Sequence, residues 1–461
     1  LLSAAASFVL VGCTSFSADG GFGRVEQLTA ERIDRKPSYP RSAAEADAAA
    51  ERVAALLAEP LTADTAVEIA LLNDKRLQAG YAQLGIAEAD LVRAGRPANP
   101  SFSFGRLAGG GSVEIDRAVL FDVLGLLTLP VAVQVERQRF ELAQLRAAYL
   151  TIGVATDARR AYFDAVAAAQ LVDIHRQVKE AAEAANGLAR ELVAVGNLSR
   201  IAQMRQQSFY ADATAGLARA QQDALGARER LVRALGLASA QPGFELPERL
   251  PELPAAPAEP RDALQTAIDR RLDVLLARRT VEMTASSLGL TKATRVVNVL
   301  HAGYQNKSTT GEERSDGYEI EFELPLFDFG ATRVARAEAT YMQAVNRAAA
   351  VAVDARSQVR QSYAAYRSAY DIARHYRDEV LPLRQRIADE SLLRYNAMQI
   401  DVFELLADAR ERVAAVAAAV GSLRDYWRAE TELQTTLAGG SPGSAEASAL
   451  PAAVAVDAVR H

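Results

Sequence analysis

The sequence predicts an α+β chain with two internal structural repeats, each containing a β-hairpin and a helix of unusual length. Three observations support this prediction. Similar segments recur about 200 residues apart, which is the signature of an internal repeat. Short stretches that alternate apolar and polar residues flank glycine-rich or polar loops, as strands do. A long segment with helical spacing of apolar and small residues follows each pair of such stretches.

Composition excludes several classes of protein. The chain has 461 residues, a formal net charge of -6 and one cysteine. A single cysteine excludes an internal disulfide and a multi-cysteine metal site. Net acidity argues against a nucleic-acid-binding protein, which carries a concentrated basic face. No internal stretch approaches the ~18 apolar residues of a membrane-spanning helix, so no such helix is predicted.

The one cysteine has an informative position. Cys13 ends an apolar run over residues 1–12, which predicts a signal segment that begins upstream of Leu1. Leu10-Val11-Gly12-Cys13 resembles a bacterial lipobox, in which the chain is cut before a cysteine that then carries a diacylglycerol. Thr14 follows, and in lipoproteins the lack of an aspartate there implies sorting to the outer membrane. The alternative is a structural cysteine buried in a hydrophobic N-terminal helix.

The repeats divide the chain. Ala66–Leu77 is similar to Ala263–Val274, and the Phe121-Asp122 pair recurs as Phe327-Asp328. The predicted segments are a lipid-anchored segment at 13–60, the first repeat at 61–240, a proline-rich linker at 241–260, the second repeat at 261–437 and a low-complexity tail at 438–461. The linker prolines favour an extended conformation; they include Pro247, Pro251, Pro254, Pro257 and Pro260.

The elements of the first repeat follow from local signals. Thr62 caps a helix that is expected to run to about Arg96, because Pro97 and Pro100 end it. Alternation predicts strands at 101–104 and 113–116, separated by a loop at 109–111. Val131–Ala194 then contains no proline and predicts one helix of ~95 Å at 1.5 Å per residue.

The second repeat contains the clearest alternation. A strand is predicted at 296–304 and a polar loop at 306–316. Beyond it, Glu319, Glu321 and Glu323 share one face of a strand, and four large apolar residues share the other: Tyr318, Ile320, Phe322 and Leu324. Either a half-buried sheet of a soluble domain or a membrane barrel with a wet lumen explains this pattern. The long helix that follows is expected to kink at Pro382.

The order of these elements resembles the TolC family of outer-membrane channel proteins, over about residues 61–437. The residues that carry the resemblance are LTADTAVEIALLNDKRLQAG at 61–80, RAGRPANPSFSF at 93–104, ELPLFDFGATRVARAEATYMQA at 323–344, VRQSYAAY at 359–366 and RYNAMQIDVFELLADAR at 394–410. No single piece is specific, but their order and double occurrence are. The lipobox narrows the resemblance to the lipid-anchored branch, which usually serves efflux pumps.

The resemblance implies a membrane protein assembled as a homotrimer. Four strands per chain would form a twelve-stranded β-barrel across the outer membrane, continued by a long α-helical barrel through the periplasm. A periplasmic adaptor (membrane fusion) protein and an inner-membrane transporter of the resistance-nodulation-division type would feed it. The duct would passively conduct drugs, toxic compounds or metal ions out of a Gram-negative cell. Glu319, Glu321 and Glu323 would then face the barrel lumen.

Two helix–turn–helix tips are implied to meet the adaptor. The first contains Gly196, Asn197, Leu198, Ser199 and Arg200. The second contains Ala397, Met398 and Gln399. Each tip is equally a tight turn, for which Gly196 supplies backbone freedom.

The resemblance also implies an acidic constriction at the periplasmic entrance. Glu404 matches the acidic position just beyond the second tip, and three symmetry-related carboxylates would bind cations. The family often has a second acid one turn later, but Ala407 stands there, with Asp408 next to it. Asp401 could add another charge, and Tyr395 matches a position that ties the inner helix to its neighbour. The alternatives are a solvated helix face for the acids and helix packing for Tyr395.

Other functions find less support. The four histidines and four methionines are scattered, so no metal site is predicted, and no cofactor or enzyme motif occurs. A lipid-anchored periplasmic coiled-coil scaffold without a pore explains the helices and Cys13 but not two equivalent hairpins. An outer-membrane component of a type I protein secretion system is a further alternative.

Overall fold

The computed structural model describes residues 15–237, 243–259, 268, 270–297, 299–323, 325 and 327–440. Cys13 and the predicted signal segment lie outside the described residues, as do residues 441–461 of the tail. Within the described part of the chain, no helix is both long enough and apolar enough to cross a membrane.

From residue 15 onward, where the described chain begins, four helices precede the first strand: α1 (Phe22–Ile33), α2 (Ala43–Leu57), α3 (Ala63–Asn73) and α4 (Lys75–Ala94). Thr62 caps α3 as predicted, because its side chain accepts a hydrogen bond from the Thr65 amide. The single helix expected from Thr62 to Arg96 is wrong, however. Asp74 interrupts it with an extended backbone and caps α4, its carboxylate accepting the amide hydrogen of Arg76 at 2.7 Å. Aspartate competes in this way with a continuous helix.

Two long helices follow the first hairpin. Strands β1 (Ser101–Gly109) and β2 (Ser112–Asp122) lead into α5 (Val123–Ala194), and a short turn leads to α6 (Arg200–Ala234). Helix α5 has 72 residues, starts before the predicted Val131 and contains Pro130 near its beginning. At 1.5 Å per residue its length is about 108 Å. Alanine lines its contact with α6, and such small side chains allow close helix packing.

The second half has the same kinds of element. They are α7 (Leu272–Ala293), β3 (Val299–Thr309), β4 (Ser315–Glu323), α8 (Ala331–His375), α9 (Leu381–Asn396) and α10 (Val402–Ala438). A π-helical turn, Tyr376–Val380, separates α8 from α9 directly before Pro382. There the Leu381 amide donates to the Tyr376 carbonyl, a longer connection than in an α-helix. Proline lacks the amide hydrogen needed for a regular helix, so the predicted interruption has its expected cause.

The strands form one antiparallel sheet in the order β1-β2-β3-β4. All four are longer than or displaced from the predicted strands, and the predicted loop at 306–316 shrinks to the residues between Thr309 and Ser315. Pairing explains the difference, because β2 and β3 bond to each other from Glu114↔Thr309 to Asp122↔His301. Gly303 permits this close approach, since a Cβ there would lie 1.9 Å from the Val119 carbonyl oxygen.

The described part of the linker, residues 243–259, is docked on the helices. Phe244, Leu250 and Leu253 are buried. Aromatic side chains hold its backbone: the Tyr370 hydroxyl donates to the Ala255 carbonyl at 2.8 Å, and the Trp427 indole nitrogen donates to the Pro251 carbonyl at 3.0 Å. The linker is therefore part of the packed structure around the middle of the helices.

Candidate functional site

One face of the sheet is acidic. The register sets Glu319 opposite Gly303 and Glu321 opposite His301, and pairs β2 with β3 so that Asp122 lies on the same face. The acidic side chains on this face are Glu114, Asp116, Asp122, Glu319, Glu321 and Glu323. The sequence predicted the three on β4. It missed the three on β2, because the face that β2 shares with β4 depends on pairing between distant strands.

Two basic side chains on the acidic face offset part of its negative charge. Lys307 forms an ion pair with Glu114 near the hairpin ends of the strands. His301 Nδ1 lies 3.0 Å from Glu321 Oε2 near the helical end. The face that remains is polar and carries an excess of carboxylates.

The other face is apolar near the helical body. Phe102, Val119, Tyr304 and Tyr318 form one row across all four strands. Phe121, Ala302 and Ile320 form the next row, and Leu300 and Phe322 the one after it. Most of these large side chains are exposed in the single chain. An exposed apolar face of this extent marks a surface that contacts lipid or another chain.

Within the described part of the chain, both edges of the sheet are open. Strands β1 and β4 each pair on one side, with β2 and β3 respectively. Every residue of β1 and most residues of β4 are exposed. Unpaired edges of this length are a template for pairing with another chain.

The two predicted tips are both tight turns. In the first, Gly196 has φ 79°, and the Asn197 amide donates to the Leu192 carbonyl at 2.8 Å. Ser199 then caps α6 through the Ala202 amide. In the second, Met398 has φ 57°, and the Gln399 amide donates to the Arg394 carbonyl at 2.8 Å.

Met398 is unusual in this position. It occupies the place that Gly196 has in the first tip, and its side chain is 93% exposed. A residue with a Cβ is disfavoured in the left-handed region, where glycine is the usual choice. The second tip therefore presents a flexible apolar side chain at a site where backbone preference favours glycine.

The three predicted gate acids have different surroundings. Asp401 caps α10, its carboxylate accepting the amide hydrogens of Phe403 and Glu404, each at 2.8 Å. Asp408 is half-buried and accepts a hydrogen bond from the Ser391 hydroxyl of α9. Glu404 is exposed, and its side chain has no hydrogen bond or ion pair with any described residue. Of the three predicted gate acids, Glu404 alone makes no such contact with the described part of the chain.

Glu404 and Asp408 line one groove between α9 and α10. The groove has a volume of about 410 Å³ and is also lined by Ser391, Arg394 and Ile400. Tyr395, on the same hairpin, is 39% exposed. No described residue receives a hydrogen bond from its hydroxyl, so the predicted tie to a neighbouring helix stays a prediction.

A contact near Asp408 joins the first helical hairpin (α5 and α6) to the second (α9 and α10). The Arg410 guanidinium of α10 lies over the Phe209 ring of α6, 3.7 Å from its centroid. Burial lowers the pKa of Arg410. A cation over an aromatic face in a partly desolvated site contributes about 1–2 kcal/mol. This contact therefore links the second hairpin to the first near the tips.

The start of the described chain is tied to α4. The Ser17 amide donates to Glu88 Oε1 at 2.6 Å, and the Ser17 hydroxyl donates to the same oxygen at 2.5 Å. Glu88 is buried in the last turns of α4, the helix that leads to β1. Separately, no three His, Cys, Asp or Glu side chains of the described residues are grouped so that they could hold a metal ion.

No protein-family model and no curated protein matches the chain. Solved structures do match it. The outer-membrane channel OprN is 19% identical with a TM-score of 0.67, and the match covers 84% of this chain and 91% of the other. The CmeC outer membrane channel of Campylobacter jejuni is 13% identical with a TM-score of 0.63, covering 90% and 92%. The open state of the MtrE outer membrane channel of Neisseria gonorrhoeae is 16% identical with a TM-score of 0.65, covering 82% and 89%. The chain therefore has the fold of these outer-membrane channels.

Proposed function

We propose that this chain, which has the fold of outer-membrane channels, is the exit duct of a tripartite efflux system in the TolC family. Three copies form a homotrimer, and their twelve strands close a barrel across the outer membrane of a Gram-negative cell. The duct conducts small molecules passively and has no catalytic step. An inner-membrane transporter of the resistance-nodulation-division type supplies the energy.

The observation that carries this proposal is a four-stranded sheet with an apolar face, an acidic face and two open edges. A sheet in lipid must have no free edge, because unpaired backbone groups cost several kcal/mol each there. One chain cannot close four strands, so β4 of one copy pairs with β1 of the next. Closure turns the apolar face toward lipid and the acidic face toward a lumen.

The helical body supports the rest of the path. Helix α5, at about 108 Å, is long enough to extend far into the periplasm. The similar hydrogen bonding of the two tips supports a twofold internal repeat. In the assembled pump the two tips dock to the helical hairpin of a periplasmic adaptor. The exposed apolar side chains at these tips, including Met398, suit such a contact.

Glu404 is the residue that we assign to the gate. Around a threefold axis, three exposed carboxylates raise the local concentration of cations and repel one another. Asp408 and Asp401 have hydrogen-bonding roles within their own hairpin, so a single acidic ring accounts best for the entrance.

We further propose that Cys13 is the lipid anchor. Ser17 is fixed to Glu88 near the end of the helix that leads to the sheet. Cys13 precedes Ser17 by only four residues in the sequence, so a lipid on Cys13 would be attached close to the part of the chain held by Glu88. A diacylated cysteine anchors a chain without spanning the membrane.

The test is electrical recording of the purified protein in planar lipid bilayers. The duct predicts small openings that prefer cations, because the lumen and the entrance carry excess carboxylates. A pore-free scaffold gives no openings, and that result would overturn the proposal.

A further inference from the structure

The apolar face of the sheet ends at a polar row that the duct does not require. Arg117 Nη1 donates to Asn306 Oδ1 at 3.0 Å, and Asn306 Nδ2 donates to Asp316 Oδ1 at 2.5 Å. The Tyr304 hydroxyl donates to the same carboxylate oxygen at 2.5 Å. Arg117, Asn306 and Asp316 form one row toward the hairpin ends of the strands, directly beyond the row of Tyr304 and Tyr318.

This arrangement leaves the arginine charge unneutralised. Asn306 stands between Arg117 and Asp316, so the carboxylate is occupied by an amide and a phenol. Asp116, the neighbour of Arg117 in sequence, points to the opposite face because successive side chains of a strand alternate. Arg117 forms no ion pair with a described residue.

A second arginine lies next to the first. Arg106 of β1 pairs with Ile115, which is two residues from Arg117, so both guanidinium groups are on the same face. Diagonal neighbours on a sheet are about 7–8 Å apart at the backbone, within reach of two long side chains. Arg106 is exposed and, like Arg117, has no ion pair within the described part of the chain.

We propose that Arg106 and Arg117 bind the phosphate of a lipid headgroup in the outer leaflet. Two planar guanidinium groups match a phosphate through paired hydrogen bonds. The pair lies where the apolar rows end, which is the depth at which a lipid changes from acyl chain to headgroup. Phe102 and Phe104 of the same strand face the same way and provide contact for the acyl chains. This inference rests on the proposed function, since it takes the apolar face to be in lipid.

The test uses detergent-purified trimer and native mass spectrometry, with diphosphorylated lipid A as the probe. The double variant Arg106→Gln/Arg117→Gln is expected to lower the affinity for lipid A by about tenfold or more, because the charged hydrogen bonds from both guanidinium groups to the phosphate are lost. Lys307→Gln is the matched control: it removes a positive charge at similar height on the opposite face, and lipid A binding should not change.

Two further binding measurements identify the source of the phosphate. Non-phosphorylated glycolipid should bind wild type and double variant equally, and millimolar inorganic phosphate should not displace lipid A. Displacement by inorganic phosphate would identify a free-anion site and overturn the proposal. So would equal lipid A binding by wild type and double variant. If the double variant conducts in planar bilayers and also binds lipid A fully, only the proposed lipid site is refuted. If the wild-type protein does not conduct, the proposed duct itself is refuted.

Discussion

At the scale of single residues, the two tips differ in whether the residue in the left-handed conformation suits the backbone. The same turn uses Gly196 in one tip and Met398 in the other, with φ of 79° and 57°. A residue with a Cβ in this region costs about 1–2 kcal/mol. We interpret Met398 as a side chain retained for contact with a partner.

Exchanging these residues tests that interpretation. Met398→Gly is expected to raise the stability of the second hairpin by about 0.5–1 kcal/mol, the relieved strain less the added entropy of the unfolded chain. The reciprocal change, Gly196→Met, should lower stability by about 1–2 kcal/mol. Thermal unfolding followed by circular dichroism compares the two. An equal loss of stability in both variants would show that the backbone at Met398 is not strained.

Glu404 differs from Asp401 and Asp408 because its side chain has no hydrogen-bond or ion-pair partner among the described residues. In the proposed trimer, Glu404→Gln removes three charges from the entrance. The concentration of multivalent cation needed to block the channel should therefore rise on the order of tenfold. Asp408→Asn is the control, since its carboxylate is engaged by Ser391, and its effect should be much smaller. The measurement is the blocking concentration of the multivalent cation in planar bilayers. An unchanged blocking concentration in Glu404→Gln would show that Glu404 is not part of the gate.

At the scale of elements, local patterns were sufficient where one strand or turn determines its own structure. The alternation from Tyr318 to Phe322, both turns and the interruption before Pro382 all follow from nearby residues. The break at Asp74 was missed because the apolar periodicity of α3 continues into α4, while the cap acts through one side chain. Strand lengths were missed because pairing extends β1 through Gly105 and Arg106, where alternation fails.

Contacts between elements could not be predicted at all. The docked linker depends on Tyr370 and Trp427, which are more than 100 residues away in sequence. The shared face of Glu114 and Glu319 likewise depends on the β2–β3 register. The contact between Arg410 and Phe209 belongs to the same class, because it joins helices from the two halves of the chain.

That contact yields a prediction for the hairpins. Arg410→Ala removes the cation from the Phe209 ring, so the second hairpin should separate from the first more readily and the channel should open more often. Arg412→Ala is the matched control, an exposed arginine on the same helix. Open probability in planar bilayers measures the effect. Equal open probability in the two variants would show that the contact does not restrain the entrance.

At the scale of the whole molecule, the open edges of the sheet are the feature on which the proposed trimer rests. Strands β1 and β4 end the sheet on opposite sides, and most of their residues are exposed. In the proposed assembly, pairing β4 with β1 of the next copy satisfies every strand only when the ring closes. Three copies would supply twelve strands, enough to surround a lumen lined by the acidic face.

Closure of one barrel by three copies can be tested by cysteine cross-linking across the sheet edges. Ser103 of β1 and Ser315 of β4 both lie on the acidic face, so each is changed to cysteine. A thiol cross-linker spanning roughly 10 Å, about two strand spacings, is then added to membranes. A closed three-copy barrel should give covalent dimers and trimers and nothing larger, with only monomers for either single variant. A ladder that continues past three, or monomers alone in the double variant, would contradict it.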